Sequence, residues 1–172
     1  MSDIDDLIDP ALLASLFDEA VEPPPPSLRA RVLESARRTS RFVRFAPLIA
    51  AALDVDEASA SAQLACLDVA ERWTPAVLEG VTLELQVARV GPAVADHSAQ
   101  FVRVAAGTAV PMHEHPGAEL TIVLQGSCHD FTQGVTLRPG SEQHMPAGSA
   151  HAFDIREGAP FIALLMQAPA GR

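Results

Sequence analysis

Two periods of hydrophobic repetition divide the chain, and the change between them falls near residue 70. Before it, apolar positions recur every three to four residues. Leu12, Leu13, Leu16 and Phe17 follow Asp9 and Pro10, an acidic cap with a proline in the first turn, and predict a first helix. Four consecutive prolines at 23–26 can form neither a helix nor a central strand and predict a stiff extended spacer. Ser27 caps a second helix over 28–38, with Leu28 and Val32 on one side and arginines on the others. Pro47 opens a third helical stretch, and Asp56 caps a fourth that carries Leu64 and Leu67 on its apolar side.

After Trp73 the apolar residues alternate instead. Val81, Leu83, Leu85 and Val87 are separated by Thr82, Glu84 and Gln86, the pattern of a half-buried strand. Further short strands are expected at 101–104, 110–115, 119–124, 151–155 and 161–166, punctuated by Gly107, Gly117, Gly126, Gly134, Gly140, Gly148 and Gly158. Short strands joined by Gly/Pro turns, with no helices between them, predict a mainly β fold: an antiparallel sandwich or barrel. The organisation expected is a helical arm over residues 1–69 and a β-barrel domain over 70–172. An arm with so few large apolar side chains makes a poor core by itself, so it packs on the barrel or on another chain.

Charge and composition narrow the functional classes. A formal net charge of -10 repels phosphate backbones and argues against nucleic-acid binding. The pair of segments around 49–55 and 58–64 faintly resembles a helix-turn-helix, but its second helix carries Ser, Ala and Gln without one Arg to anchor a phosphate. All twelve basic residues are arginines, and six of them, Arg29, Arg31, Arg37, Arg38, Arg41 and Arg44, follow seven acids that precede any base. No apolar run is long enough to span a membrane, and the acidic start at Asp3, Asp5 and Asp6 is unlike a secretory signal, so a cytoplasmic protein is expected. Cys66 and Cys128 are read as reduced thiols rather than a disulfide.

Three histidines and a glutamate supply the chemistry. Residues two apart on a strand share a face, so His113 and His115 point inward together and Glu114 faces away. Pro116 and Gly117 reverse the chain, the returning strand carries Glu119 on the same side, and His151 begins a later strand after the turn at Pro146–Gly148. A solitary histidine on a strand is ordinarily a satisfied structural residue. Four ligand-type residues brought to one interior instead suggest a divalent metal site. Imidazole with carboxylate suits Zn, Fe, Ni, Mn or Co.

These residues sit in two motifs. Gly107, His113, His115, Glu119 and Gly126 match the first cupin motif, and Gly140, Pro146, Gly148 and His151 match the second. The chain therefore resembles the cupins over roughly residues 80–168. That resemblance implies a double-stranded β-helix (jelly-roll) barrel with His113, His115, Glu119 and His151 as metal ligands. Where cupins often end the second motif in Asn, this chain has Ile155. The run Gly117–Gly126 followed by Asp130 is similar to the cupin half of ChrR-type anti-sigma factors, as is a proline-rich linker before an arginine-rich helix. The chain departs from those proteins in its first 69 residues, which hold no His and only Cys66 where they have a second zinc site.

The functional expectation is a metal-binding regulatory or sensory protein, with a protein partner engaged through the N-terminal helices and a small molecule in the barrel. The alternative, which resembles the acetylacetone-cleaving branch of the cupins, is an Fe(II)-dependent dioxygenase acting on a small dicarbonyl-type substrate. In it Glu119 is a ligand or a base behind the ligands, and Phe101, Phe131, Phe153, Val123 and Met112 line an apolar pocket. The outer strand face of Leu120, Ile122 and Leu124 needs a cover, from the helices or from a second subunit, and a homodimer is expected. His97, Cys128, His129 and His144 are read as ordinary residues, and Trp73 as the anchor of the arm on the barrel.

Overall fold

The computed structural model describes residues 40–170, together with Pro25, Ser27, Leu28 and Arg31. Compactness divides the chain into residues 1–38 and 39–172. In the first unit Ser27, Leu28 and Arg31 are helical, and the Leu28 N–H donates to the Pro25 carbonyl at 2.8 Å. The helix expected from Asp9, the body of the proline spacer and most of the 28–38 helix lie outside the described residues.

The second unit opens with two short helices. α1, Ala46–Leu53, has Pro47 in its first turn and ends at Asp54 in the left-handed conformation. α2, Glu57–Ala65, is capped by Asp56, whose Oδ1 accepts the Ser59 N–H at 2.6 Å. The Gln63 side chain grips the backbone of Arg89 at both ends, Oε1 accepting the N–H at 2.7 Å and Nε2 donating to the carbonyl at 3.2 Å. Single 3₁₀ turns then lead to Trp73, which is buried, donates Nε1–H to the Leu67 carbonyl at 3.1 Å and carries the Arg103 guanidinium over its ring. Trp73 thus joins the helical segment to the sheet, as its size suggested.

Ten strands follow: β1 Thr74–Leu78, β2 Val81–Val87, β3 Ser98–Val104, β4 Ala109–Glu114, β5 Glu119–Gln125, β6 Cys128–Asp130, β7 Val135–Leu137, β8 Glu142–Met145, β9 Ala150–Ile155 and β10 Phe161–Gln167. They form two antiparallel sheets, a six-stranded one ordered β1-β2-β3-β10-β5-β8 and a four-stranded one ordered β4-β9-β6-β7. This is the jelly-roll arrangement expected. The sequence pattern missed β1, β6, β7 and β8, which are short or carry little alternation.

The six-stranded sheet is apolar on both faces because its strands serve two cores. Val102, Val104, Val123, Phe161 and Ala163 point into the barrel, where they meet Cys128, Leu137 and Ile155 of the opposite sheet. The alternate residues Phe101, Ile122, Leu124, Ile162 and Leu164 point outward onto Phe42, Phe45, Ile49, Leu53, Ala60 and Leu64 of the helical segment. All five outward residues are at most 1% exposed, and each contributes about 1.5–3 kcal/mol by its burial. The face bearing Leu120, Ile122 and Leu124 is therefore covered from within the chain, by residues 42–64. That cover removes the reason for which a second subunit was invoked.

Candidate metal centre

The three motif histidines reach one point because β4 and β9 are paired in register at His113 and His151. Between Val110 and His113 the pairing shifts, so that Pro111 and Met112 together oppose Ala152. This is a β-bulge, and Pro111, which has no N–H to give to a ladder, stands where a bulge tolerates it. The extra residue lets both Val110 and His113 face the interior although they are three apart. His115 lies one residue past β4 and stays tied to the turn that leads into the strand carrying His151: its N–H donates to the Ser149 carbonyl at 2.8 Å, and its carbonyl accepts the Gly148 N–H at 2.7 Å. Gly148 adopts φ +74°, a left-handed turn that a side chain would strain. A second glycine is fixed by space, since a Cβ on Gly117 would lie 2.0 Å from the Ala168 carbonyl oxygen.

The imidazole centroids are 4.7–5.1 Å apart, and each ring offers a nitrogen within 4.8 Å of the other two. Hydrogen bonding fixes two of the tautomers. His113 Nδ1 is 3.0 Å from the Pro111 carbonyl and His151 Nδ1 is 2.8 Å from Asp130 Oδ2, and both partners only accept. In each ring the proton therefore sits on Nδ1 and the lone pair on Nε2. His115 is 2% exposed, and its Nε2 is buried with no hydrogen-bond partner. A buried, unanswered imidazole nitrogen beside two other available lone pairs fits a cation and is costly without one.

Glu119, at the start of β5, is not one of the mutually close three. It lines the same cavity, with Oε2 3.2 Å from His115 Nδ1 and Oε1 accepting the Thr121 hydroxyl at 3.4 Å. The His115 contact is to Nδ1, so the structure brings the three histidine side chains together and leaves the Glu119 carboxylate beside the cluster, on His115's other ring nitrogen. Glu114 is exposed, at the border of the cavity and outside the histidine cluster. Asp130, noted in the sequence only as part of the family resemblance and not as a site residue, is 1% exposed and sits behind His151. Burial pushes its carboxyl up, but hydrogen bonds from the Gln133 backbone, His151 and Gln143 outweigh that and hold it below the ordinary carboxylate range. For His151, burial pulls the imidazole below its ordinary 6.5; Asp130 opposes this and the neighbouring His113 and His115 add to it.

The three histidines stand in the wall of a cavity of about 280 Å³. Its apolar lining is Leu78, Leu83, Val102, Val104, Val110, Leu137, Phe153, Phe161 and Leu165, with Gln100, Thr121, Gln143 and Gln167 as polar points. Of the five residues expected there only Phe153 contributes. Phe101 faces the helices, Val123 is packed within the barrel core, and Met112 and Phe131 are 59% and 56% exposed. For Phe101 the alternation of its strand decides this, and a single apolar residue does not reveal which phase it occupies. Cys128 also lines the cavity, and burial first, then the Asp130 charge, pushes its thiol up to about 12, so it stays protonated. Of the other histidines, His129 bonds Thr136 at 3.0 Å, His97 bonds Asp96 at 2.9 Å, and His144 is exposed on β8 rather than in a loop; all three lie outside the cluster.

Solved structures similar to the chain include the complex of Rhodobacter sphaeroides SigE with the anti-sigma ChrR, at 28% identity and TM-score 0.46 over 56% of this chain and 48% of that one. KdgF from a Halomonas species is 20% identical at TM-score 0.46, over 56% and 87% of the two chains. An acetylacetone dioxygenase from Acinetobacter johnsonii is 14% identical at TM-score 0.47, over 58% and 69%. The chain thus matches about half the length of the first of these, 48% of it. No curated protein matches it. Residues 62–165 match the ChrR Cupin-like domain model, and the chain belongs to that family.

Proposed function

We propose that this protein is a metal-binding cupin with a regulatory or sensory role, holding one divalent ion through His113, His115 and His151 with Glu119 as the fourth ligand. The observation that carries this reading is the buried His115 Nε2, without a partner, between two rings whose own hydrogen bonds leave a lone pair free. Bound there, the ion supplies a Lewis-acidic centre facing a small apolar cavity. The protein's own part is to hold the imidazoles neutral and oriented and to exclude bulk water with Leu83, Val102 and Phe161. Zinc or iron heads the candidates on ligand chemistry, followed by Ni, Mn and Co.

The family membership supports a regulatory role; in this reading a partner protein such as a sigma factor is engaged through residues 1–69. A homodimer would have to use a surface other than the face of Leu120, Ile122 and Leu124. Among the described residues no helix is long and apolar enough to cross a membrane. One observation favours a dioxygenase as the second reading: the histidines stand in the wall of a cavity that admits a small organic molecule. Elemental analysis of the protein from its native host, followed by oxygen uptake with β-dicarbonyl compounds, separates the two. The regulatory reading expects bound metal, no uptake and a co-purifying partner. Rapid uptake that is lost in His151→Ala overturns it.

A further inference from the structure

Every hydrogen-bond neighbour of the Asp130 carboxylate is a donor. Oδ1 accepts the backbone N–H groups of Thr132 at 2.8 Å and Gln133 at 3.0 Å. Oδ2 accepts Gln143 Nε2 at 2.7 Å and His151 Nδ1 at 2.8 Å. Gln143 is itself buried, and its Nε2 also donates to Gln133 Oε1 at 3.1 Å, so both of its amide N–H groups are answered. Only an ionised carboxylate answers four donors on two oxygens; an amide in its place sets a donor against a donor on one side or the other.

We propose that Asp130, braced by Gln143, is the positioning residue of the metal centre: it fixes His151 in the form whose Nε2 is free to bind a cation. The inference rests on the metal-binding reading and deepens it, placing part of the metal affinity outside the ligand set. The two motif strands differ in this respect. His113 rests on a neutral carbonyl of its own strand, whereas His151 rests on an anion from β6, which also makes the imidazole a stronger donor to a metal. Asp130 borders the cavity but bonds His151 at Nδ1, the ring nitrogen away from the free lone pair, so its effect on a bound cation passes through His151.

The test is the full-length Asp130→Asn variant titrated with Co(II), together with nitrogen NMR of the metal-free protein. Asparagine keeps its oxygen on the two backbone N–H groups and turns its amide NH₂ toward His151, which moves the ring proton from Nδ1 to Nε2. Co(II) affinity is expected to fall by about 10–100-fold. In the same samples the His151 signal changes from the Nδ1–H to the Nε2–H form. A variant that is only loosened would lose thermal stability without that conversion. Affinity within about twofold of wild type, with the tautomer unchanged, overturns the proposal. So does a wild-type, metal-free His151 that carries its proton on Nε2, a result that needs no variant to fold. Wild-type protein that takes up no Co(II) defeats the metal reading instead, and the tautomer measurements still decide the role of Asp130.

Discussion

Replacing His151 with alanine separates the structural contribution of the centre from its metal-dependent one. The side chain is 4% exposed and donates to Asp130, itself 1% exposed, so its removal leaves a buried carboxylate one donor short. Such a loss costs about 1–3 kcal/mol and is felt whether or not metal is present. A ligand that binds only the folded chain at 100 times its Kd adds about 2.7 kcal/mol. At about 2–4 °C per kcal/mol for a chain of this size, saturating metal should raise the wild-type Tm by roughly 5–11 °C. Thermal unfolding of both proteins in chelator, and again with Zn(II) or Co(II), reads the two contributions separately. The variant should melt lower in chelator and gain almost nothing from metal at the concentration that saturates wild type. An equal metal-induced rise in both proteins would refute the assignment of His151 as a ligand.

Three further outcomes follow from the packing and the charges. Leu164→Ala, at a fully buried site between the six-stranded sheet and the helical segment, should lose about 2–5 kcal/mol in urea unfolding, whereas Val77→Ala, 72% exposed, should change stability by less than about 0.5 kcal/mol; equal effects would refute the internal cover. The metal-free protein should become less stable as pH falls below 6.5. His151 titrates lower in the folded chain than in the unfolded one, so the unfolded chain binds more protons there; Asp130, also lowered, extends the loss below 3.8. A urea midpoint that is flat or rising between pH 7.5 and 5.5 would contradict this. Finally, Cys66 should react with a thiol reagent at pH 8 while Cys128, buried with its thiol pushed up to about 12, stays unmodified until the chain unfolds; equal labelling rates would count against the burial of Cys128 between the two sheets.

Much of the three-histidine cluster was legible because its geometry is local. His113 on β4 and His115 one residue past its end are two apart in the chain, and the turn glycines mark where the chain reverses. The convergence of His151 on them, by contrast, depends on the register of β4 against β9 and on a bulge at Pro111. The proline was visible in the sequence; its consequence for the phase of Val110 was not. Asp130 went unread as a site residue because its role is set by a partner 21 positions away, and a lone Asp after a strand looks like any turn residue. The strands β6, β7 and β8 have three or four residues each, too few for alternation to show. The apolar outer face of β5 did signal a missing cover, but the choice between helices and a second subunit needed tertiary contacts. The cavity lining followed the same limit: Phe101 and Phe153 are alike in sequence, and the pleat of each strand sends them to opposite sides.

X-ray absorption at the metal edge of the loaded full-length protein tests the central claim most directly. Three imidazole nitrogens and at least one oxygen at about 2.0–2.2 Å are expected, with multiple-scattering features that fade when His113, His115 or His151 is replaced. A shell of oxygens alone, or one containing sulfur, would contradict a centre built on these three histidines.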